Sequence, residues 1–307
     1  MSEEQAQAML FGLAVGDALG WPVEFMQLPA IREQYGPAGI QAPPHPALYT
    51  DDTQMTAALA EALIEVGNSD LDRLMQAVGG QFVTWLHSPE NNRAPGNACM
   101  AGTRNFEAGA SWREAGVEDS KGCGAAMRVA PIGYCYQHDE TRLREVAHAS
   151  SLITHRHPTA SAAASAAAYL VKLALDGLAP DGYLARLFAF TAGLSDELDQ
   201  ALRRIGHVLG WGNEVAAMRH IGAGWIAEEA VALALYCVLR YPDDYVGAVR
   251  RAANSDGDSD SVACIAGGVL GARLGLDAIP ADWRARCEHA AYLADLGTRL
   301  AVSRDAR

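Results

Sequence analysis

The chain has 307 residues, 50% of them hydrophobic and 20% charged, with a formal net charge of −13. Such a length and composition call for one large domain or two small ones around a sizeable buried core. The negative charge argues against a generic nucleic-acid binder, which needs a basic face.

The first residues, Met1-Ser2-Glu3-Glu4, are acidic where a secretory signal is basic. Residues 4–16 read as a helix, apolar at Ala8, Leu10, Phe11, Leu13, Ala14 and Val15, which Gly16-Asp17-Ala18-Leu19-Gly20 either continues or ends. Trp21-Pro22-Val23-Glu24-Phe25 breaks the pattern, because proline lacks an N–H and restricts the residue before it. Glu24 is therefore expected in a loop among apolar neighbours, either as a satisfied structural anion or as a catalytic group. Residues 27–48 hold five prolines and two glycines and read as one long irregular loop, a feature often put to functional use.

That loop leads into Tyr49-Thr50-Asp51-Asp52-Thr53, a Thr/Asp start for an amphipathic helix over 53–66. Met55, Leu59 and Leu63 recur there at a spacing of four, and Gly67-Asn68 closes the segment. Residues 71–86 and 103–110 read as the next helices, separated by the loop 88–97, Ser-Pro-Glu-Asn-Asn-Arg-Ala-Pro-Gly-Asn. The stretch Ser120-Lys121-Gly122-Cys123-Gly124-Ala125-Ala126-Met127-Arg128 is either a plain tight turn or a cradle of backbone N–H groups for an anion. It fits neither a Walker A loop nor a dinucleotide fingerprint, since no strand-like run precedes it.

Residues 141–153 form a further expected helix, ending at Thr154-His155-Arg156-His157-Pro158. Histidines at a helix end suit the dipole; His-x-His also suits a metal. Helices are then expected over 159–175, 183–191, 195–209, 227–239, 245–253 and 283–300. Between the last two lies Asn254-Ser255-Asp256-Gly257-Asp258-Ser259-Asp260-Ser261, followed by the small, apolar run 262–274. Aspartates held apart by small residues are hard oxygen donors for Mg²⁺, Mn²⁺ or Ca²⁺; the same residues also make a solvated helix-capping turn. Both acidic turns fall at helix N-termini, where the dipole favours carboxylates. Crowded together, they would repel unless a cation sat between them.

Cys99, Cys123, Cys135, Cys237, Cys264 and Cys287 form no Cys-x-x-Cys pair, and several lie in apolar runs. Free thiols in a reducing compartment fit them best, and a cytoplasmic protein without a membrane span is expected. Alanine-rich runs favour helix and strand-like alternation is scarce, so the fold class expected is all-α, with a single domain over residues 1–307.

Taken in order, six segments resemble the motifs of the ADP-ribosylglycohydrolase family, which includes dinitrogenase reductase-activating glycohydrolases and ADP-ribosylarginine hydrolases. They are Gly16-Asp17-Ala18-Leu19-Gly20 with Glu24, Thr50-Asp51-Asp52-Thr53, Arg93-Ala94-Pro95-Gly96, Gly122 to Arg128, Thr154 to Pro158, and Gly257-Asp258-Ser259-Asp260-Ser261. The resemblance spans nearly the whole chain. It implies a compact, orthogonal all-α bundle with two divalent cations, Mg²⁺ or Mn²⁺, at its centre. Thr50, Asp51 and Asp52 would supply one half of the metal site, and Asp258, Asp260 and Ser261 the other. Ser261 stands where many members have Thr, and Asp256 falls outside the motif as a cap or supporting group.

The implied reaction is hydrolysis at the anomeric carbon that joins ADP-ribose to an acceptor. Glu24 and Asp258 are the candidate catalytic acid or base. The resemblance places the diphosphate on backbone N–H groups at Gly96 and Asn97 and at Ser120, Gly122, Cys123 and Gly124. It places His155 near the ligand and makes His157 structural. The motifs look most like the arginine-directed members, which implies an ADP-ribosylated protein as partner and a guanidine leaving group bound by Glu24 or Glu90. Ala94 stands where some arginine hydrolases carry Asp, and residues 222–229 differ from the animal arginine hydrolases. Serine-linked, nucleic-acid or small-molecule ADP-ribose therefore stays open. So do a plain Mg²⁺-dependent phosphohydrolase and a non-catalytic, crystallin-like role, although oxygen donors at every ligand position favour an enzyme.

Overall fold

Two helices that are apolar on nearly every side lie against each other in the computed structural model, which describes residues 3–67 and 69–305. Sixteen α-helices and no strand are found among the described residues. In chain order they are α1 (Glu3–Gly20), α2 (Leu28–Tyr35), α3 (Asp51–Val66), α4 (Leu71–Leu86), α5 (Asn97–Glu107), α6 (Ala130–Cys135), α7 (Glu140–Leu152) and α8 (Pro158–Leu175). Then come α9 (Tyr183–Thr191), α10 (Asp196–Val208), α11 (Glu214–Ile221), α12 (Ala227–Arg240), α13 (Tyr245–Ala253), α14 (Ser259–Leu274), α15 (Ala281–Arg286) and α16 (Ala290–Asp305).

The central pair is α1 and α14. A helix buried all round has no polar face to spare, and what lets these two approach is the absence of side chains along one line. A Cβ added to Gly12 would lie 2.3 Å from the Gly267 carbonyl oxygen, and one on Gly16 would lie 2.2 Å from that of Ala263. At the end of α1, a Cβ on Gly20 would lie 2.4 Å from the Asp260 Cα. The seam therefore brings the end of α1, and Glu24 just beyond it, onto the first turn of α14.

Three isolated bridges pin the loops that close over this centre. Ala47 pairs with Cys287, Val117 with His155, and Gly122 with Ile226. The described helices include none long and apolar enough to cross a membrane alone; α8 is buried along nearly its whole length inside the protein.

Several boundaries differ from those read in the sequence. Residues 27–48 are not one loop but contain α2, because Pro29 sits in its first turn, where a missing N–H costs nothing. The expected helix over 103–110 starts earlier, at Asn97, and ends at Glu107; at Gly102 it packs so close that a Cβ would meet the Ile153 carbonyl oxygen at 2.5 Å. The short helices α6 and α11 were not expected, and α11 is opened by Asn213, whose side chain accepts from the Ala216 N–H. The single last helix is two: Cys287 is drawn into its bridge with Ala47, and His289 takes a φ of 50°. Gly67 ends α3 as read, while Asn68 and the first two residues lie outside the described residues.

Candidate active site

The two acidic turns meet. Asp51 and Asp52 open α3, Asp258 and Asp260 open α14, and all four, together with Glu24 and Ser261, line one cavity of about 380 Å³. No lysine or arginine lines it among the described residues.

One carboxylate that sequence reading had not placed in the site sets this geometry. Asp17, on α1, is fully buried and accepts from the Thr50 and Thr53 N–H groups at 3.0 and 3.1 Å. It also accepts from the Thr50 hydroxyl at 3.0 Å and the Thr53 hydroxyl at 2.6 Å. These bonds satisfy the orphan donors of the first turn of α3 and fix its two aspartates relative to α1. A single acid in the otherwise apolar and glycine run 8–20 was the available signal, since a buried carboxylate needs donors from elsewhere. Thr50 itself does not line the cavity. Its hydroxyl donates to Asp17, accepts from the Asp52 N–H at 3.4 Å and lies 3.3 Å from Asp52 Oδ2.

The second turn is held by backbone. The Asp258 N–H donates to the Ala223 carbonyl at 3.0 Å, and Gly257 adopts a φ of 117°, where a Cβ would meet Ala223 O at 2.4 Å. Asp256 points away from the cavity: it accepts from the Leu28 N–H at 2.6 Å, at the start of α2, and pairs with Arg219. It is thus a cap, one of the two roles expected for it.

Burial is the first cause of the charge state of this wall, and for Asp17, Asp52, Asp260 and Glu24 repulsion from a neighbouring carboxylate is the second. Asp51 is pushed up to about 7 by burial, opposed by the Gly96 N–H that donates to its Oδ2 at 3.0 Å. Asp17 is pushed up to about 7 by burial and by Asp260, despite its hydroxyl and amide donors. Asp52 and Asp260 rise well above the ordinary carboxylate range, and Asp258 also rises, each chiefly through burial. Glu24 is pushed up to about 10 by burial and then by Asp260 and Asp258. One oxygen each of Glu24, Asp52 and Asp260 is buried without a hydrogen-bond partner. Crowded acids, unpaired oxygens and no basic side chain form a donor set that suits hard divalent cations.

The remaining wall is rich in backbone donors. Gly96, Asn97, Ala98 and Cys99 line the cavity at the start of α5, where the first N–H groups have no partner within the helix. The Gly96 N–H is already given to Asp51, so Asn97 and its successors are the ones left for an anion. Ser120, Gly122, Cys123 and Gly124 form the facing edge. Gly124 leaves room that a side chain would fill, since its Cβ would lie 2.5 Å from Cys99 Sγ and 2.9 Å from His155 Cε1. Lys121 staples this loop to Glu228 at 2.7 Å and Glu197 at 3.0 Å. The Cys123 thiol lies 2.8 Å from Asp258 Oδ2, and burial next to that acid keeps it neutral.

His155 lines the same cavity and is buried, so its pKa falls to about 3, by desolvation first and by Arg128 second. Arg128, itself fully buried, donates to the Thr154 hydroxyl at 2.8 Å, and that hydroxyl lies 2.8 Å from His155 Nδ1. The Thr154 hydroxyl also lies 3.5 Å from the Ser151 carbonyl, and Nε2 of His155 lies on the side of Gly122 and Gly124. His157 is elsewhere, its Nδ1 capping α8 through the Thr159 N–H.

Glu90 does not reach the cavity. It pairs with His289 at 3.0 Å, and with Glu288 these side chains bring ligand atoms within 4.8 Å of one another. Arg93 already pairs with Glu288 at 2.7 Å. The sequence also gave no sign of Phe25 and Trp225. They line the cavity with their rings stacked, centroids 5.2 Å apart and planes 18° from parallel.

Comparison with known proteins gives the family and the fold. A family model described as ADP-ribosylglycohydrolase matches residues 2–307. The ADP-ribosyl-[dinitrogen reductase] glycohydrolase of Rhodospirillum rubrum is 27% identical, over 93% of this chain and 90% of that protein. The ADP-ribosylarginine hydrolase Tri1 of Serratia proteamaculans is 24% identical, over 97% of this chain and 79% of that protein. Among solved structures, an ADP-ribosylglycohydrolase-related protein complex superposes with a TM-score of 0.76 at 28% identity, covering 97% of both chains.

Proposed function

The chain belongs to the ADP-ribosylglycohydrolase family and is a glycosidic hydrolase, and from that premise we propose that it frees ADP-ribose from modified protein arginine with the help of bound divalent cations. The observation that carries the metal reading is the wall of crowded acids, three of them with an unpartnered oxygen, and no basic side chain. Asp51, Asp52, Asp258 and Asp260, with the hydroxyls of Thr50 and Ser261, would hold Mg²⁺ or Mn²⁺. Bound there, such ions would lower the pKa of a water and polarise the ribose hydroxyls.

The chain's own groups do the rest. N–H groups at the start of α5 and along 122–124 would hold the diphosphate, with Nε2 of His155 beside them. They recognise an anion without a cationic side chain, which suits the acidity of the cavity. The carboxylates stabilise the positive charge that develops on the sugar as the glycosidic bond breaks. Glu24 has a half-buried carboxyl with one unpartnered oxygen, on the turn just after α1. We place it at the acceptor atom, where it moves a proton to or from the leaving group, and we place Asp258 on the water side. The free state of all six cysteines, five of them buried, supports a reducing, cytoplasmic setting.

Glu24→Ala is expected to lower kcat by about 100-fold or more while changing the dissociation constant for Mn²⁺ by less than about threefold. Single-turnover rates and metal titration of the same preparation check this. An unchanged rate removes Glu24 from the reaction. The acceptor is tested by release of free ADP-ribose from an arginine-modified and a serine-modified protein side by side. Release from the arginine substrate is expected. Release from the serine substrate alone keeps the enzyme class and overturns the acceptor.

A further inference from the structure

Residues 222–226 form the turn that joins α11 to α12. The fold brings one residue of that segment, Trp225, to the cavity beside Glu24. Gly224 and Gly257 make this possible. Gly224 has a φ of 86°, and a Cβ there would crowd Asp258 Cβ at 3.2 Å. A Cβ on Gly257 would lie 3.0 Å from Trp225 Nε1, so the indole sits directly against the turn that carries Asp258.

On the other side stands Phe25, the residue after Glu24. Its ring is stacked on Trp225, yet it is 63% exposed, and Trp225 is 40% exposed. Neither ring serves the core. Phe25 also holds a φ of 66°, a conformation that a bulky side chain rarely takes. Two large apolar rings are thus kept at the rim of an acidic cavity, next to a carboxyl oxygen that has no partner.

A flat cation satisfies each of these features. Guanidinium stacks on aromatic faces and donates in its plane to a carboxylate. A seryl oxygen offers neither plane nor charge, and adenine offers no charge. The rings are too close to admit a guest as they stand. A planar group between them needs about 7 Å, twice an ordinary carbon contact, against the 5.2 Å between their centroids. Phe25, on an exposed turn, can move without uncovering the core.

We propose that Phe25 and Trp225 form the acceptor gate of this site, and that Trp225, with Glu24, determines specificity by taking the guanidinium of ADP-ribosylarginine when the rings part. This inference rests on the arginine reading above. Trp225 binds the leaving group only, and the ADP-ribose moiety does not touch it.

The test compares wild type, Trp225→Leu and Trp225→Phe, all metal-loaded and matched by circular dichroism. The readouts are kcat/KM on an arginine-ADP-ribosylated and a serine-ADP-ribosylated peptide, and the Kd for free ADP-ribose. Trp225→Leu is expected to lose at least about tenfold on the arginine peptide, the scale of one desolvated cation–π contact. Its Kd for ADP-ribose should stay within about twofold, and Trp225→Phe, which keeps a flat face, should stay within about threefold of wild type on the arginine peptide. An unchanged arginine rate in Trp225→Leu overturns the gate. So does a parallel loss of ADP-ribose affinity, which would place the ring on the adenosine side. Wild type that cleaves only the serine peptide fails the arginine reading itself, a result distinct from either variant outcome, and removes the guanidinium assignment with it.

Discussion

Asp260→Asn is expected to lower kcat/KM by about 1,000-fold or more with the helical content unchanged. The amide keeps the shape of the carboxylate, so the first turn of α14 stays packed against Gly20. What it loses is a hard anionic donor in a wall where Asp51, Asp52 and Asp258 already crowd one cavity. The same change has a second, opposite consequence for stability. In the metal-free protein, burial raises the folded-state pKa values of these acids, helped by repulsion for all but Asp258, to about 7 for Asp51 and Asp17 and upward for Asp52, Asp258 and Asp260. An unfolded carboxyl titrates near about 4. Between those values the folded protein binds more protons than the unfolded one, so stability falls as pH rises from about 4 through about 7 and beyond. The penalty is absent below the unfolded value, where the acids are protonated in both states. A Tm measured in chelator is therefore expected to be lower near about pH 8 than near about pH 5.5, and Asp260→Asn to narrow that gap. Activity retained in the variant contradicts the metal role of Asp260. A chelated Tm that rises with pH contradicts the electrostatic reading of the wall.

Gly16→Ala is expected to destabilise the protein by about 3 kcal/mol or more, at the upper end of what overpacking a core does. The added carbon would lie 2.2 Å from the Ala263 carbonyl oxygen and 2.7 Å from its carbon, so the obstacle is backbone and cannot rotate away. Moving α1 off α14 also moves Asp17, the acceptor that holds the first turn of α3. Activity should fall together with stability. Gly206→Ala is the internal comparison. That glycine lies inside α10 with open space where a Cβ would go, and the change should stabilise by about 0.5–1 kcal/mol. Urea denaturation of the two variants separates them. A Gly16→Ala midpoint within error of wild type would contradict the backbone-to-backbone contact.

These two sites show what the sequence disclosed and what it withheld. The acidic turns were legible because there are two of them at helix starts, which would repel each other unless a cation sat between them, and the structure does bring them to one cavity. The Gly-containing loops and His155 were legible as motifs, although the Gly96 N–H turns out to be spent on Asp51. Asp17 was visible only as part of a motif, since the groups it binds, Thr50 and Thr53, lie over thirty residues away. Gly12, Gly16 and Gly20 recur at every fourth position, as do Gly267 and Gly271, which is one face of a helix. That spacing announces a close approach but not its partner. The pairing of Phe25 with Trp225 has no local signature at all. Boundaries failed where long-range contacts decide them, as at Cys287, which Ala47 pulls out of helical register, and at Leu28, whose N–H is met by Asp256.

The most direct measurement is release of free ADP-ribose from an arginine-ADP-ribosylated protein after exhaustive chelation, followed by titration with Mn²⁺ or Mg²⁺. Turnover is expected to vanish in chelator and return as the ion is added back, with ADP-ribose as the product and no inorganic phosphate. Full turnover in chelator would contradict a metal-dependent site built from the two acidic turns.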